Sequence, residues 1–185
     1  LNALLATVTI SGSAPVVVAQ RLRKGSCGSP RGARRLVADA LTTVRTLHGR
    51  TAVKPLLRAD SAFYGAPTVG AAVRGGAEVS VTVRMDPKVK AAIATIAHDA
   101  WTPIEYTDAL FDQATNTWVS RAEVAELPFT AFTSKKATEQ VPGRLVVRRI
   151  PDLNAEKKKA DGQGTLFDTW RFHAFFTTTD PAELD

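Results

Sequence analysis

The sequence predicts an α/β protein: an α+β arrangement in which helices pack on a mixed sheet. Three observations carry this. Short β-branched runs and amphipathic stretches follow in the order β-β-α-β-α-β over the first 84 residues. The stretch from Leu36 to Leu47 places its apolar residues on a 3.6-residue period. Residues 79–84 and 170–176 instead alternate with a period of two, as half-buried strands do.

The elements follow in order. Residues 3–10 and 15–22 are β-branched runs joined by Ser11-Gly12-Ser13, the pattern of an antiparallel hairpin. A small basic loop, Arg23 to Gly28, comes next. Ser29 is then expected to cap a helix with Pro30 at its first position. Leu36, Val37, Ala40, Leu41, Val44 and Leu47 form the buried face of that helix, with Arg34, Arg35, Asp39, Thr43 and Arg45 opposite and Gly49 at its end. Residues 54–60 form a short apolar strand that ends in a carboxylate. Pro67 opens a helix stopped by Gly75-Gly76, and Val79, Val81 and Val83 line one face of the next strand. From Pro87 to His98 the chain reads as an Ala-rich helix. Strands are expected at 104–111, 118–127, 144–150 and 169–178, with a polar turn at 112–117 and a charged loop at 152–165.

Composition narrows the function classes. A chain of 185 residues amounts to one domain, or one domain with a sizeable insertion. It buries enough surface to need no disulfide or metal. One cysteine, Cys27, excludes an internal disulfide framework and a cysteine-based zinc site. No apolar run is long enough to span a bilayer, and no signal peptide opens the chain, so the expected compartment is the cytoplasm, with no membrane partner. Lys and Arg number 24 against 18 Asp and Glu, a net charge of +6. That balance points mildly toward nucleic acid.

Asp60 is the outstanding chemical candidate. It ends an apolar strand, where open α/β sheets place functional groups. A carboxylate there suits one side of a magnesium ion, which takes oxygen ligands. It equally suits capping of the following turn. Other candidates are weaker. His48, His98 and His173 show no ligand spacing, and Cys27 lacks a histidine nearby in sequence. Glu105, Asp108 and Asp112 on a strand more often face solvent than act as an acid and base.

Arg58-Ala59-Asp60-Ser61-Ala62-Phe63-Tyr64 resembles the segment that carries the second aspartate in DDE transposases of bacterial insertion sequences. Leu4-Leu5-Ala6-Thr7, Arg21 to Ser26 and Arg31-Gly32-Ala33 resemble the stretch before it, and Asp168 to Phe175 resembles the strand where the core resumes. The resemblance implies a partial RNase H-like core, residues 1–85 and 168–185, interrupted by a mainly β insertion with one helix, residues 86–167. It implies DNA cleavage and strand transfer in transposition. Two Mg2+ or Mn2+ ions would be held by three carboxylates in the full-length enzyme, with transposon ends, target DNA and other transposase copies as partners. Asp60 would be one catalytic, metal-holding carboxylate. The first aspartate and the last glutamate have no counterpart here, so this chain is expected to be inert alone and to hold no metal. The strand bearing the first aspartate would lie between the hairpin and the Asp60 strand. Its absence implies either direct pairing of residues 3–10 with 55–60 or a second copy filling the gap. Separate sheets with nothing between them would count against the family topology.

Basic residues suggest where DNA would lie. Arg21, Arg23 and Lys24 cluster at the hairpin end; Lys135 and Lys136 share a loop; Arg144, Arg148 and Arg149 sit on one strand; Lys157, Lys158 and Lys159 form a run. Converging on one face, they would track phosphates. The competing reading is a non-catalytic DNA-binding or protein-interaction α/β module. A third is a small α/β enzyme with a site around Asp60.

Overall fold

The computed structural model describes residues 1–48, 54–104, 110–112, 117–119, 122–151 and 170–181. The chain forms two compact units. The first comprises residues 1–83, 129–143 and 176–185, and the second residues 84–128 and 144–175.

In the first unit, β1 (Asn2–Val8) and β2 (Val16–Arg23) form the expected antiparallel hairpin. Gly12 at φ 79° makes the turn, and Ser13 N–H donates to the Ile10 carbonyl at 3.0 Å. One face of the hairpin packs on α1 (Ala33–His48). The other leaves Leu5 and Leu22 largely exposed.

Helix α1 buries Leu36, Val37, Ala40 and Leu41, as its period predicts. Each fully buried Leu or Val contributes about 1.5–3 kcal/mol. The face fades toward the C-terminus, where Val44 is half-buried and Leu47 exposed. The start differs from expectation. Ser29 and Pro30 lie in turns before the helix, and Gly32, at φ 85°, separates them from it. Arg23 explains the difference. Its Nη1 donates to the carbonyls of Ser29 and Arg31 at 2.7 and 2.9 Å, and more weakly to Gly28 at 3.3 Å. Those carbonyls are thereby held outside a helical ladder.

Strand β3 (Leu56–Ala59) pairs in parallel with β4 (Glu78–Thr82), and α2 (Ala66–Arg74) connects them. Pro67 stands in the first turn of α2, and Gly75 caps its end. Val79, Val81 and Val83 are all buried. The larger sheet is mixed and six-stranded, in the order β3-β4-β10-β9-β8-β5. Here β5 is Thr102–Ile104, β8 Ala122–Ala131, β9 Val141–Pro151 and β10 Trp170–Thr177. Past β10, Thr178 exchanges hydrogen bonds with Val79 through its N–H and Oγ1.

Direct closure between the hairpin and the Asp60 strand does not occur. β1 and β2 form their own sheet, and β3 is the last strand of the six-stranded one. Among the described residues no strand of this chain lies between them.

The second unit contains α3 (Pro87–Ala94), capped by the Asp86 carboxylate accepting from Val89 N–H at 2.9 Å. It ends four residues short of the expected His98. Thr95 turns back, donating through both N–H and Oγ1 to the Ala92 carbonyl, which stops the ladder. A small hairpin of β6 (Leu110–Asp112) and β7 (Thr117–Val119) forms a sheet of its own. The single strand expected at 118–127 is therefore two, β7 and β8. Residues 105–109, 113–116 and 152–169 lie outside the described residues, so Glu105, Asp108 and the 152–165 loop do too.

Candidate functional site

The Asp60 segment is built by three local features. The apolar strand β3 delivers the chain to the carboxyl end of a parallel pair. Asp60 then leaves the strand in extended geometry, φ −82° and ψ 177°, and caps the 3-10 turn Ser61–Phe63. Its Oδ1 accepts from Ala62 N–H at 2.8 Å. Tyr64 anchors the far side of the loop. Its ring lies 5.0 Å from Phe132 and 6.2 Å from Phe176, centroid to centroid. Phe176 is fully buried, so the loop is pinned to the core of the first unit.

Phe132 carries an uncommon backbone, φ 61° in a non-glycine residue. A bulky side chain in the left-handed region costs about 1–2 kcal/mol. The ring contact with Tyr64 is the visible compensation.

Of the two roles expected of Asp60, turn-capping is the one its contacts show. Oδ1 does the turn-capping. Oδ2 has no hydrogen-bond partner among the described residues, and the residue is exposed. One hard oxygen is thus presented at a strand end, the donor type that magnesium and manganese take. A complete metal site needs more. Among the described residues no three His, Cys, Asp or Glu side chains are placed to hold a metal ion. The residues present fit one ligand of such a site, not the whole of it.

The described candidates for DNA contact fall in different settings. Arg21, Arg23 and Lys24 line a hollow of about 350 Å³ at the end of β2. Arg21 donates to Asp39 Oδ2 at 2.7 Å, whereas Lys24 is exposed and has no carboxylate partner among the described residues. Lys135 and Lys136 are exposed in the turn between β8 and β9. Arg144 is committed to Glu126 and Arg149 to Glu123.

Arg149 is 9% exposed, and its guanidinium carbon lies 4.1 Å from the Trp101 ring centroid and 4.4 Å from that of Trp170. It is a structural cation inside the second unit. Lys157, Lys158 and Lys159 lie outside the described residues.

Of the histidines, His173 is exposed on β10, and its imidazole is held below its ordinary pKa of 6.5. Partial burial is the main cause, followed by the positive charges of Arg148 and Arg171. Cys27 is a half-buried free thiol in the wall of the basic hollow.

Sequence reasoning missed the cations that do share a surface with Arg21, Arg23 and Lys24. They sit on the solvent face of α1 and at the end of α2. The signal was present in α1, whose exposed face carries Arg34, Arg35 and Arg45 against the single acid Asp39.

Compared with known proteins, the chain matches no family model and no curated protein sequence. No helix among the described residues is long and apolar enough to cross a membrane.

Proposed function

We propose that this chain is the central portion of a DDE-type transposase, which cuts and joins DNA strands in the cytoplasm with Mg2+ or Mn2+, and that Asp60 is one of its metal-holding carboxylates. The observation that carries this reading is the placement of Asp60. It stands exposed at the carboxyl end of a parallel strand, with one oxygen locking the turn and the other available. The hairpin and the Asp60 strand lie in separate sheets, with no described strand of this chain between them. That outcome rules out direct closure and counts against the family topology unless a second copy of the chain supplies the strand between them.

Two-metal chemistry needs more carboxylates than Asp60, and among the described residues no three metal-ligating side chains lie together. Purified protein incubated with supercoiled plasmid and either metal is expected to leave it intact. Reproducible nicking that vanishes in Asp60→Ala would show that a complete site is present and would overturn the one-ligand description.

A further inference from the structure

The basic hollow at the end of β2 does not stand alone. Its wall includes Arg21, Arg23, Lys24 and Arg31, and also Gly32. Gly32 lines a second hollow as well, of about 620 Å³, between α1 and α2. Four arginines, Arg34, Arg35, Arg45 and Arg74, line that second hollow. All belong to the first unit. The two hollows therefore adjoin at Gly32, where the left-handed φ of 85° turns the chain into α1.

Charge along this double hollow is strongly one-sided. Among the described residues Asp39 is the one carboxylate paired with any of its cations, and it takes Arg21. Arg45 donates to the Gly75 carbonyl, and Arg23 to loop carbonyls and Asn2 Oδ1, so both are fixed in place without being neutralised. Lys24, Arg31, Arg34, Arg35 and Arg74 are exposed and have no carboxylate partner among the described residues. The first turn of α1 contains no acidic residue, so its amino-terminal dipole adds to the positive potential. Two buried Nε–H groups, of Arg21 and Arg23, have no acceptor among the described residues.

We infer that this double hollow is a track for the sugar–phosphate backbone of duplex DNA. The inference rests on DNA being the partner in the function proposed above. Three features select that occupant. The cations are nearly all arginines, whose planar forks match phosphate oxygens. Three of them, Arg34, Arg35 and Arg45, lie on α1, which advances about 16 Å from the first to the last, close to the rise of five base-pair steps. No aromatic side chain lines either hollow, so the surface suits a backbone and not stacked bases.

Fluorescence anisotropy of a labelled duplex, titrated at several salt concentrations, tests this. Five uncompensated cations predict a log–log salt slope of about −4 to −5. The variant Arg31→Gln/Arg34→Gln/Arg35→Gln/Arg74→Gln should bind at least about tenfold more weakly and lose about 3 to 4 from the slope. The matched variant Arg31→Lys/Arg34→Lys/Arg35→Lys/Arg74→Lys keeps the charges and should keep the slope, which separates lost charge from lost folding. Lys135→Gln/Lys136→Gln, outside both hollows, should change the slope by less than one. Three results would overturn the track: a wild-type slope near zero, equal losses in the Lys135/Lys136 control, or displacement of DNA by polyglutamate as effectively as by unlabelled duplex. Asp60 is intact throughout, so failure here is distinguishable from failure of the Asp60 assignment.

Discussion

Replacing Arg149 tests what holds the second unit together. The side chain lies between two indole rings, at 4.1 and 4.4 Å from their centroids, and its Nε donates to Glu123 Oε2. A desolvated cation–π contact contributes up to about 2 kcal/mol, and here there are two. The Glu123 side chain is 25% exposed, so removing its partner leaves a partly desolvated carboxylate. Breaking a buried pair from one side costs about 3–5 kcal/mol. The two effects overlap, because both describe the same guanidinium, so about 3–5 kcal/mol is expected for Arg149→Ala. At 2–4 °C per kcal/mol for a chain of this size, the midpoint should fall by roughly 6–20 °C. Arg149→Lys should recover only part of this, since an ammonium cannot lie flat between two rings. Arg149→Met/Glu123→Gln should recover more, because it fills the slot and removes the stranded charge. The assay is thermal unfolding followed by tryptophan fluorescence, with Trp101 and Trp170 as local reporters and urea unfolding giving the loss in kcal/mol. A loss below about 1 kcal/mol in Arg149→Ala would refute the reasoning, since exposed surface pairs contribute no more than that.

Two other predictions follow from single positions. A Cβ at Gly143 would strike the Thr177 carbonyl and approach Phe176 Cζ to 2.7 Å. Gly143→Ala should therefore cost at least about 2 kcal/mol in thermal unfolding, in the range of overpacked cores, whereas Gly28→Ala, with nothing nearer than 4.0 Å, should stay within about 0.5 kcal/mol. His173 has its pKa lowered in the folded state, so the unfolded chain binds the proton more readily. The stability it contributes is complete above pH 6.5 and is lost as pH falls through its folded value; the drop in Tm between pH 7.5 and 5 should shrink in His173→Gln, and an equal drop in both proteins would count against it.

Much of the fold was legible because burial in this chain follows simple periods. The alternation Val79-Val81-Val83 and the face Leu36-Val37-Ala40-Leu41 are both buried as read. The start of α1 was not legible, because capping preferences at Ser29 and Pro30 lost to carbonyl contacts from Arg23, six to eight residues away. Arg149 differs from expectation for a related reason. Grouped with Arg144 and Arg148 on one basic strand, it suggested phosphate, yet it continues the inward series Leu145, Val147, Arg149 along β9. Period two identified its face; only the tertiary structure supplied the indoles that make burial tolerable. Asp60 was legible as a residue at a strand end, and its division into a capping oxygen and an available one required coordinates. The arginine track combines the end of β2, a loop and two helices, and no local pattern joins those.

The central claim is that Asp60 presents a metal-ready carboxylate. The most direct measurement is paramagnetic line broadening of backbone amide signals as Mn2+ is added to the isotope-labelled chain. The expected result is selective broadening of Ser61, Ala62 and their neighbours at low Mn2+, absent in Asp60→Asn and reversed by excess Mg2+. Broadening that is centred elsewhere, or that persists unchanged in Asp60→Asn, would contradict the assignment.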